Sequence, residues 1–251
     1  MSRPAAEWSE TTVDGVPALV FEPPQAPDGG VVWLADFDAL TPASLPSWGE
    51  ALASRGVRFL CPRPGPTWWL DRDDPAFQPA SGGGEEGPTP WRWLLDVLAP
   101  QAAERFGGPI AWAGAGAGGQ AAIRAGFKRR STPAVWAYAA AVQLDAVHGR
   151  GSTLDRLFPD SPERNGREQA RVAGVLTDVN PLARPQRLHL ACDPSEIWAP
   201  GCELLAEKLR SGGVPLESDF APRSPSDREA ALNAAGPAAV RLLADALTFA
   251  V

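Results

Sequence analysis

A glycine-rich turn between an apolar segment and a helical segment is the strongest chemical signal in the sequence. It lies within Ala111–Gln120, which reads AWAGAGAGGQ. A strand, a tight turn with flanking glycines and then a helix form the nucleophile elbow, G-x-S-x-G, which raises its central side chain above the sheet. The flanks fit at Gly114, Gly118 and Gly119, but the central residue is Gly116, which has neither hydroxyl nor thiol. Because covalent catalysis needs a nucleophile, the turn predicts a site that has lost one.

The same turn also matches a dinucleotide-binding fingerprint, because Gly114, Gly116 and Gly119 fit G-x-G-x-x-G. That fingerprint normally opens the first strand–helix unit and is followed about 20 residues later by an acid for the ribose. Here several predicted strands precede the turn, and the corresponding stretch, Val135–Ala141, has no acidic residue. We therefore expect no cofactor. In either interpretation the small residues allow helix and strand to cross closely.

Histidines and cysteines are few, which limits the chemistry available elsewhere. His148 follows a predicted buried strand, whereas His189 alternates with apolar neighbours inside one. His148 is therefore a candidate pocket residue and general base, and its simpler interpretation is a loop histidine that bonds the backbone. The cysteines have no metal-binding spacing, so we expect reduced, buried thiols and no metal site. They are Cys61, Cys192 and Cys202.

Acidic and aromatic side chains also lie in predicted loops. Five carboxylates should converge above the sheet, where they could hold a cation, although solvated loop carboxylates are the commoner outcome: Asp36, Asp38, Asp193, Glu196 and Asp227. Trp68 and Trp69 could bind an apolar or sugar-like ligand, or simply pack against the protein. The predicted pocket lining is Asp36, Phe37, Asp38, Trp68, Trp69, Ala115, Ala117 and His148.

These residues need a sheet to position them, and the apolar pattern along the chain predicts one. Continuous apolar runs such as Val31–Ala35 and Pro133–Val142 are typical of strands buried on both faces. They alternate with segments of helical periodicity, such as Leu45–Ser54 and Trp91–Phe106. This alternation implies a mostly parallel α/β sheet with helices on both faces, whose functional residues follow the carboxyl ends of the strands.

The remaining segments extend the same alternation. Further strands are predicted at Ala18–Glu22, in an N-terminal hairpin, and at Val57–Cys61, Pro109–Ala113, Arg187–Cys192 and Val214–Phe220. Further helices are predicted at Gln120–Phe127, Trp198–Arg210 and Asp227–Ala250, the last kinked or restarted at Gly236-Pro237. We predict one domain, residues 1–251, with a mobile loop at residues 78–90 and a cap or excursion at residues 143–185.

Charge and composition exclude several classes of partner. The net charge of −7 disfavours nucleic acid and anionic membrane surfaces, which both select basic proteins. No apolar stretch is long enough to span a membrane, and the first residues lack the apolar core of a signal peptide. We therefore predict a cytoplasmic protein.

Four segments of the sequence resemble bacterial esterases of the α/β-hydrolase fold, in the neighbourhood of esterase D and S-formylglutathione hydrolase. They are residues 61–72 (CPRPGPTWWLDR), 114–128 (GAGAGGQAAIRAGFK), 143–155 (QLDAVHGRGSTLD) and 189–220 (HLACDPSEIWAPGCELLAEKLRSGGVPLESDF). The resemblance implies the α/β-hydrolase fold and descent from a carboxylic-ester hydrolase. It also implies a catalytic acid at Asp193 or Glu196.

Three catalytic parts depart from that resemblance. Active relatives have serine where this chain has Gly116. They have a histidine before the terminal helix, whereas residues 222–231 contain none, and Asp227 is the nearest candidate for its position. Their oxyanion loop usually begins with His-Gly, whereas Asp36 and Asp38 here put carboxylates where donors are needed. Three losses together favour a lineage that gave up hydrolysis.

Three functions follow as hypotheses. The favoured one is a catalytically inactive esterase-like homologue, a pseudoenzyme with a ligand-binding or regulatory role toward a small molecule. The second is an active hydrolase with non-standard residues, using His148 or a carboxylate. The third is a structural partner of an active paralogue, and a homo-oligomer is left open with it.

Overall fold

The computed structural model describes residues 7–24, 26–82, 87–129, 131–179, 183–221 and 227–249. Within them lie the strands β1 (Trp8–Val13), β2 (Val16–Phe21), β3 (Gly30–Leu34), β4 (Phe59–Pro62), β5 (Ile110–Ala115), β6 (Ala134–Tyr138), β7 (Arg187–Ala191) and β8 (Glu217–Asp219). They form one sheet in the order β1-β2-β4-β3-β5-β6-β7-β8. The β1–β2 hairpin joins β4 antiparallel, and all other pairs are parallel. The predicted α/β-hydrolase arrangement, a mostly parallel sheet with an N-terminal hairpin, is confirmed.

Helices connect the strands, as the alternation predicted. The described residues contain α1 (Pro46–Arg55), α2 (Pro90–Trp93), α3 (Ala99–Phe106), α4 (Gly116–Lys128), α5 (Leu154–Leu157), α6 (Gly166–Ala173), α7 (Val175–Asp178), α8 (Ala199–Ser211) and α9 (Arg228–Thr248). A π-helical turn, Leu94–Leu98, joins α2 to α3, so the predicted helix over Trp91–Phe106 is one continuous helical path. None of these helices is long and apolar enough to cross a membrane.

The boundaries around the glycine-rich turn differ from the sequence prediction. β5 continues to Ala115, beyond the predicted end at Ala113, and α4 begins directly at Gly116 rather than at Gln120. The small side chains of this stretch cost little to bury, so strand and helix both extend until the backbone itself must turn. The result is a sharper connection than the sequence suggested.

Three elements of the C-terminal half differ from their sequence predictions. β6 ends at Tyr138 rather than at Val142, and β8 covers only Glu217–Asp219 of the predicted Val214–Phe220. A kink or a restart was predicted for the last helix at Gly236-Pro237, and the restart is wrong, because α9 runs through Pro237 without interruption. Gly236 has a packing role there instead, since a Cβ on it would lie 2.6 Å from Cδ1 of Trp48.

Two segments predicted to be irregular are only partly described. Residues 83–86 of the predicted mobile loop lie outside the described residues, as do residues 180–182 of the predicted excursion. The described part of residues 143–185 holds a 3₁₀ turn, Leu144–Ala146, and the short helices α5 to α7. Where it is described, this segment consists of short helices joined by turns.

An aromatic cluster fixes α1 and α9 against the sheet. The ring centroids of Trp33 and Trp48 lie 5.0 Å apart, and those of Trp48 and Trp136 lie 5.3 Å apart. All three side chains are nearly inaccessible to solvent. Trp48 also donates a hydrogen bond of 2.8 Å from Nε1 to the carbonyl of Leu232, one helical turn after Arg228. Buried aromatic contacts of this kind set the position of α9, and with it the placement of Arg228 above the sheet.

Candidate functional site

The turn between β5 and α4 has the backbone geometry of a nucleophile elbow. Gly116 has a φ of +52°, a left-handed conformation that favours glycine. Gly118 allows α4 to cross β3 closely, because a Cβ there would overlap the carbonyl oxygen of Leu34. The close crossing predicted from the small residues is therefore present. The elbow backbone exists although its central side chain does not.

The carboxylate of Asp36 fills the space above Gly116. A Cβ on Gly116 would overlap Cγ and Oδ2 of Asp36 and would lie 2.6 Å from Oδ1. Oδ1 accepts a hydrogen bond of 2.9 Å from the backbone N–H of Ala117. In a working elbow, the N–H that follows the nucleophile helps to bind the oxyanion of the reaction. Asp36 therefore lies where a nucleophile side chain would be, and it also binds the N–H that would be the first donor of an oxyanion hole.

Arg228, the first residue of α9, binds the same carboxylate. Its Nη1 donates to Oδ2 of Asp36 over 2.6 Å and lies 3.5 Å from Oδ2 of Asp38. The Asp36 side chain is 9% exposed and that of Arg228 25%, so this ion pair is largely withdrawn from water. Burial lowers the pKa of Arg228, but the attraction of Asp36 and Asp38 outweighs burial and the pKa is raised. The guanidinium therefore keeps its proton and is unsuited to act as a base.

The hydrogen bonding of Arg228 is incomplete. Its Nε and Nη2 atoms are buried and meet no acceptor in the described chain. A buried donor without an acceptor costs about 1 to 3 kcal/mol. The guanidinium is thus held mainly by the charges of its carboxylate neighbours.

Asp227 and Asp38 each stabilise their own loop. The side chain of Asp227 accepts a hydrogen bond of 2.9 Å from the N–H of Glu229 and caps α9. Asp38 accepts one of 3.1 Å from the N–H of Leu40. Asp227 was the candidate for the histidine position, but from this segment it is Arg228 that bonds the carboxylate above the elbow.

A cavity of about 280 Å³ lies beside the ion pair, at the carboxyl ends of β6 and β7. It is lined by Tyr138, Asp193, Ser195, Glu196, Asp227, Arg228 and Ala231. Asp193 is engaged within its own loop, because Oδ1 accepts from the N–H and the hydroxyl of Ser195 over 2.9 Å and 2.7 Å. Of the five carboxylates expected to converge, Asp193, Glu196 and Asp227 line this cavity, and Asp36 and Asp38 lie against Arg228 beside it.

Glu196 is electrostatically linked to the Asp36–Arg228 pair. Burial raises the pKa of Glu196, Arg228 partly opposes that rise, and the charges of Asp36, Asp193 and Asp38 add to it. The net pKa is above the ordinary value of a glutamate. Glu196, one of the two acids implied by the resemblance, is therefore easier to protonate than an ordinary glutamate.

The two histidines make their contacts elsewhere. Nε2 of His148 lies 2.7 Å from the carbonyl oxygen of Phe158. No carboxylate forms an ion pair with His148 in the described ranges, although a histidine base needs an acid or an equivalent group to orient it. His189 lies in β7 with Nδ1 3.9 Å from Oε2 of Glu217. His148 thus bonds the backbone, as a loop histidine does.

Trp68 and Trp69 are packed inside the protein, with exposures of 5% and 1%. Nε1 of Trp68 donates to the hydroxyl of Thr153 over 2.9 Å, and Nε1 of Trp69 donates to the carbonyl of Ala35 over 3.2 Å. Phe37 meets Trp68 edge to face, with ring centroids 4.7 Å apart, and is 37% exposed. The tryptophan pair therefore braces the loop after β3, and Phe37 alone of the three is open to solvent.

The small residues and thiols around the turn are buried. Ala115 and Ala117 are nearly inaccessible, so Ala117 contributes its N–H to the site rather than its side chain. The cysteines are free and buried, and burial raises the pKa of the Cys61 thiol. No group of three or more His, Cys, Asp or Glu side chains is placed to hold a metal ion within the described residues.

The sequence did not indicate Arg228, nor Tyr138, Ser195 and Ala231 of the cavity lining. The missing histidine pointed to Asp227, the residue before Arg228. A usable signal was present, because the two acids of Asp36-Phe37-Asp38 follow a fully buried strand and need a cation if they are themselves withdrawn from water. The first helical turn of α9 offers one arginine.

No sequence family and no curated protein matches the chain. Solved structures with a similar fold do match it. The fold is similar to an S-formylglutathione hydrolase from Agrobacterium tumefaciens, with a TM-score of 0.69, 13% identity, and 96% of this chain and 94% of that chain covered. It is similar to a fluorophosphonate-binding serine hydrolase of Staphylococcus aureus, with a TM-score of 0.66, 10% identity, and 95% and 97% covered.

A third similar structure is a hormone-sensitive-lipase homologue from a metagenome library, with a TM-score of 0.62 and 14% identity. The similarity covers 98% of this chain and 88% of that chain. Identities this low are informative about the fold alone. The chain therefore has an esterase-like α/β-hydrolase fold.

Proposed function

We propose that this protein is a catalytically inactive esterase-like α/β-hydrolase homologue with a binding or regulatory role. The observation that carries the proposal is the carboxylate of Asp36, which stands where a nucleophile side chain would be and accepts the N–H of Ala117. Hydrolysis through an acyl-enzyme needs a nucleophile, a base and free oxyanion donors. In this proposal Gly116 replaces the nucleophile, the base is lost with the histidine, and Asp36 occupies an oxyanion donor.

The replaced parts support one another. Gly116 leaves the room that Asp36 fills, and Arg228 supplies the positive charge that lets Asp36 lie there. A carboxylate bound to an oxyanion N–H resembles an enzyme with a bound anionic product. We infer that the elbow is held in a state occupied by the protein's own side chain, and that a ligand of the old site would have to displace Asp36.

Turnover of p-nitrophenyl acetate and p-nitrophenyl butyrate tests the proposal. The wild-type protein should give no rate above a heat-killed control. Gly116→Ser should also be inactive, because the new hydroxyl would meet Asp36 and no histidine base is present. Asp36→Ala/Gly116→Ser should bind a fluorophosphonate probe poorly at best, for lack of a base.

An active hydrolase with non-standard residues is the alternative. It would give wild-type turnover that Glu196→Gln abolishes and that Glu203→Gln, a matched change on an exposed position of α8, leaves unchanged. That pair of results would overturn the proposal, because turnover would then depend on the cavity beside Arg228.

A role as a partner of an active paralogue, or as a homo-oligomer, is the remaining hypothesis. Exposed large apolar side chains are scattered in the described chain, at Phe37, Val172, Ile197, Leu204 and Phe249. Phe37 and Ile197 follow strand ends near the site and are the residues we would place in such a contact. Light scattering of the purified protein, alone and with Ile197→Asp, tests for self-association.

The cellular location also belongs to this proposal. Three free, buried cysteines without a disulfide support a reducing compartment, and we propose the bacterial cytoplasm.

A further inference from the structure

A second cleft has a volume of about 390 Å³. It is bounded by the loop after β4, by the second half of α4 and by α6. Its lining consists of Leu70, Asp71, Arg72, Arg124, Glu168, Gln169, Val172 and Ala173. The cleft therefore combines two arginines with an apolar wall, and none of its lining residues takes part in the Asp36–Arg228 site.

Arg124 is the anchored cation of this cleft. Its side chain is 9% exposed, and its Nε donates to Oδ2 of Asp178 over 2.7 Å. The guanidinium lies over the ring of Trp91, with Cζ 4.3 Å from the centroid. Nη1 is buried and has no hydrogen-bond acceptor in the described part of the chain. The guanidinium is thus fixed in place by an ion pair and a ring while one of its donors lacks a partner.

Arg72 is the second cation. Its Cζ lies 4.6 Å from the centroid of Phe158, and its Nη2 donates to the amide oxygen of Gln169 over 3.3 Å. No carboxylate pairs with Arg72 among the described residues. Its charge is therefore oriented by neutral groups and is not neutralised by an acid.

The acidic residues of the lining are already engaged. Asp71 binds Arg92, with Oδ1 3.1 Å from Nε, and Glu168 binds Arg171 within α6. Asp178 is shared, since it also lies 2.8 Å from Nζ of Lys128. The two acids and two arginines of the lining balance in formal charge, but both acids are bound by arginines outside the lining, and Arg72 is the charge left without an ionic partner among the described residues.

We propose that this cleft binds a small organic carboxylate with an apolar body. Guanidinium groups match the planar carboxylate and can bind it through two parallel hydrogen bonds. The apolar body would lie against Leu70, Val172 and Ala173, of which Val172 is 53% exposed. Inorganic phosphate would satisfy the charges but would leave this wall in contact with water, so the wall favours the carboxylate. The inference does not depend on whether the elbow is inactive.

The first test is direct binding to the full-length protein, measured by calorimetry or ligand-observed NMR. Phenylacetate is the probe, 2-phenylethanol is its neutral counterpart, and inorganic phosphate is the competitor. We expect phenylacetate to bind at least about tenfold more tightly than either of the others, because each of those lacks one of the two recognised features. Equal affinity for 2-phenylethanol would overturn the role of the arginines, and tighter binding of phosphate would make the cleft a phosphate site.

Variants locate the binding site. Arg72→Gln and Val172→Asp change exposed positions, and each should weaken phenylacetate binding about tenfold, by loss of a donor or by repulsion. Arg124→Gln should do the same, but its buried ion pair makes folding part of the outcome. Arg55→Gln is the matched control, because Arg55 lines a different cleft, between α1 and α9.

Two further outcomes decide the proposal. Phenylacetate binding that is unchanged in both Arg72→Gln and Val172→Asp would overturn it. Asp36→Ala should leave phenylacetate binding unchanged, which separates this cleft from the elbow, whereas loss of binding in that variant would place the ligand at the Asp36–Arg228 site instead.

Discussion

Arg228 and Arg124 each bind an aspartate, but the charged residues around the two ion pairs differ. Each donates to one aspartate, over 2.6 Å to Asp36 and over 2.7 Å to Asp178. Each also has a buried nitrogen without an acceptor in the parts of the chain that are described. The difference lies in the charges beyond the pair, and it separates a site that the protein fills with its own side chain from a cleft that remains open.

Acids exceed bases around Arg228, whereas around Arg124 the acids are each paired with a base and Arg72 is not paired among the described residues. Asp38 and Glu196 act on Arg228 in addition to its partner, so a further anion there would meet repulsion. Lys128 competes for the one aspartate bound by Arg124, and Arg72 lines the same cleft. One arginine–aspartate pair therefore closes a site, and the other leaves positive charge available to a ligand.

Removing Arg228 should have the largest effect on this comparison. Arg228→Leu leaves the Asp36 carboxylate, which is 9% exposed, without its cation and beside Asp38. Breaking a buried pair from one side costs about 3 to 5 kcal/mol, and the partial exposure of Arg228 places our expectation at the lower end, about 3 kcal/mol. Urea unfolding at pH 7 measures the loss.

The control is Arg55→Leu, which breaks an ion pair of 3.4 Å with Asp245 whose two side chains are 45% and 41% exposed. It should cost under about 1 kcal/mol, because exposed pairs are screened by water and salt. Equal losses in the two variants would mean that Arg228 is not needed to hold Asp36 in place.

The next effect concerns the space that Asp36 occupies. Gly116→Ser places a side chain at a residue with a φ of +52° and against the Asp36 carboxylate, and each of these effects costs about 1 kcal/mol or more. We expect a total loss near 2 kcal/mol. Asp36→Ala/Gly116→Ser should be more stable than the sum of the two single changes predicts, by about 1 kcal/mol. Strict additivity in urea unfolding would show that the two residues do not compete for one space.

Much of the fold followed from the sequence because its signals are local. Apolar runs marked the buried strands, and α1 ends at Arg55, one residue beyond the predicted Ser54, because Gly56 caps it with a φ of +66°. The errors arose where tertiary contacts decide. Pro237 lies inside α9, and the neighbouring Gly236 lets the helix pack closely on Trp48, a tertiary contact that no propensity rule contains.

The site was predictable in its backbone and not in its side chains. The run from Ala113 to Gly119 indicates a turn whatever lies above it. The partner of Asp36 is 192 positions away in sequence, and a single sequence carries no direct record of such a contact. The sequence did not show the charge pattern of the cleft lined by Arg72 and Arg124 for the same reason, since these two arginines come from separate elements.

The stability of Asp178→Asn as a function of pH tests the ion pair of Arg124. Burial raises the pKa of Asp178, but the hydrogen bonds from Lys128 and Arg124 lower it by more than burial raises it. The net pKa is therefore below the ordinary value of 3.8. A lowered folded-state pKa stabilises the protein above the unfolded value, and the stabilisation is lost as pH falls through the folded one. Asp178→Asn should therefore cost about 1 kcal/mol at pH 6, and the difference from wild type should shrink below pH 3.8. A difference that grows on acidification would contradict the assignment.

The smallest expected effect, with the opposite sign, is that of Glu196 on the acidic side. Its pKa is raised above the ordinary value of 4.5, mainly by burial, so the folded state favours the protonated form. That contribution to stability is present below the unfolded pKa and is lost as pH rises through the folded one. Glu196→Gln imitates the protonated side chain, and it should be more stable than wild type at pH 7, by under about 1 kcal/mol. The two proteins should converge below pH 4.5 in denaturant unfolding, and Glu203→Gln, which removes the same charge from an exposed position of α8, should show no such convergence. If Glu196→Gln were instead destabilising at pH 7, the ionised carboxylate would stabilise the folded state, and the raised pKa assigned to Glu196 would be contradicted.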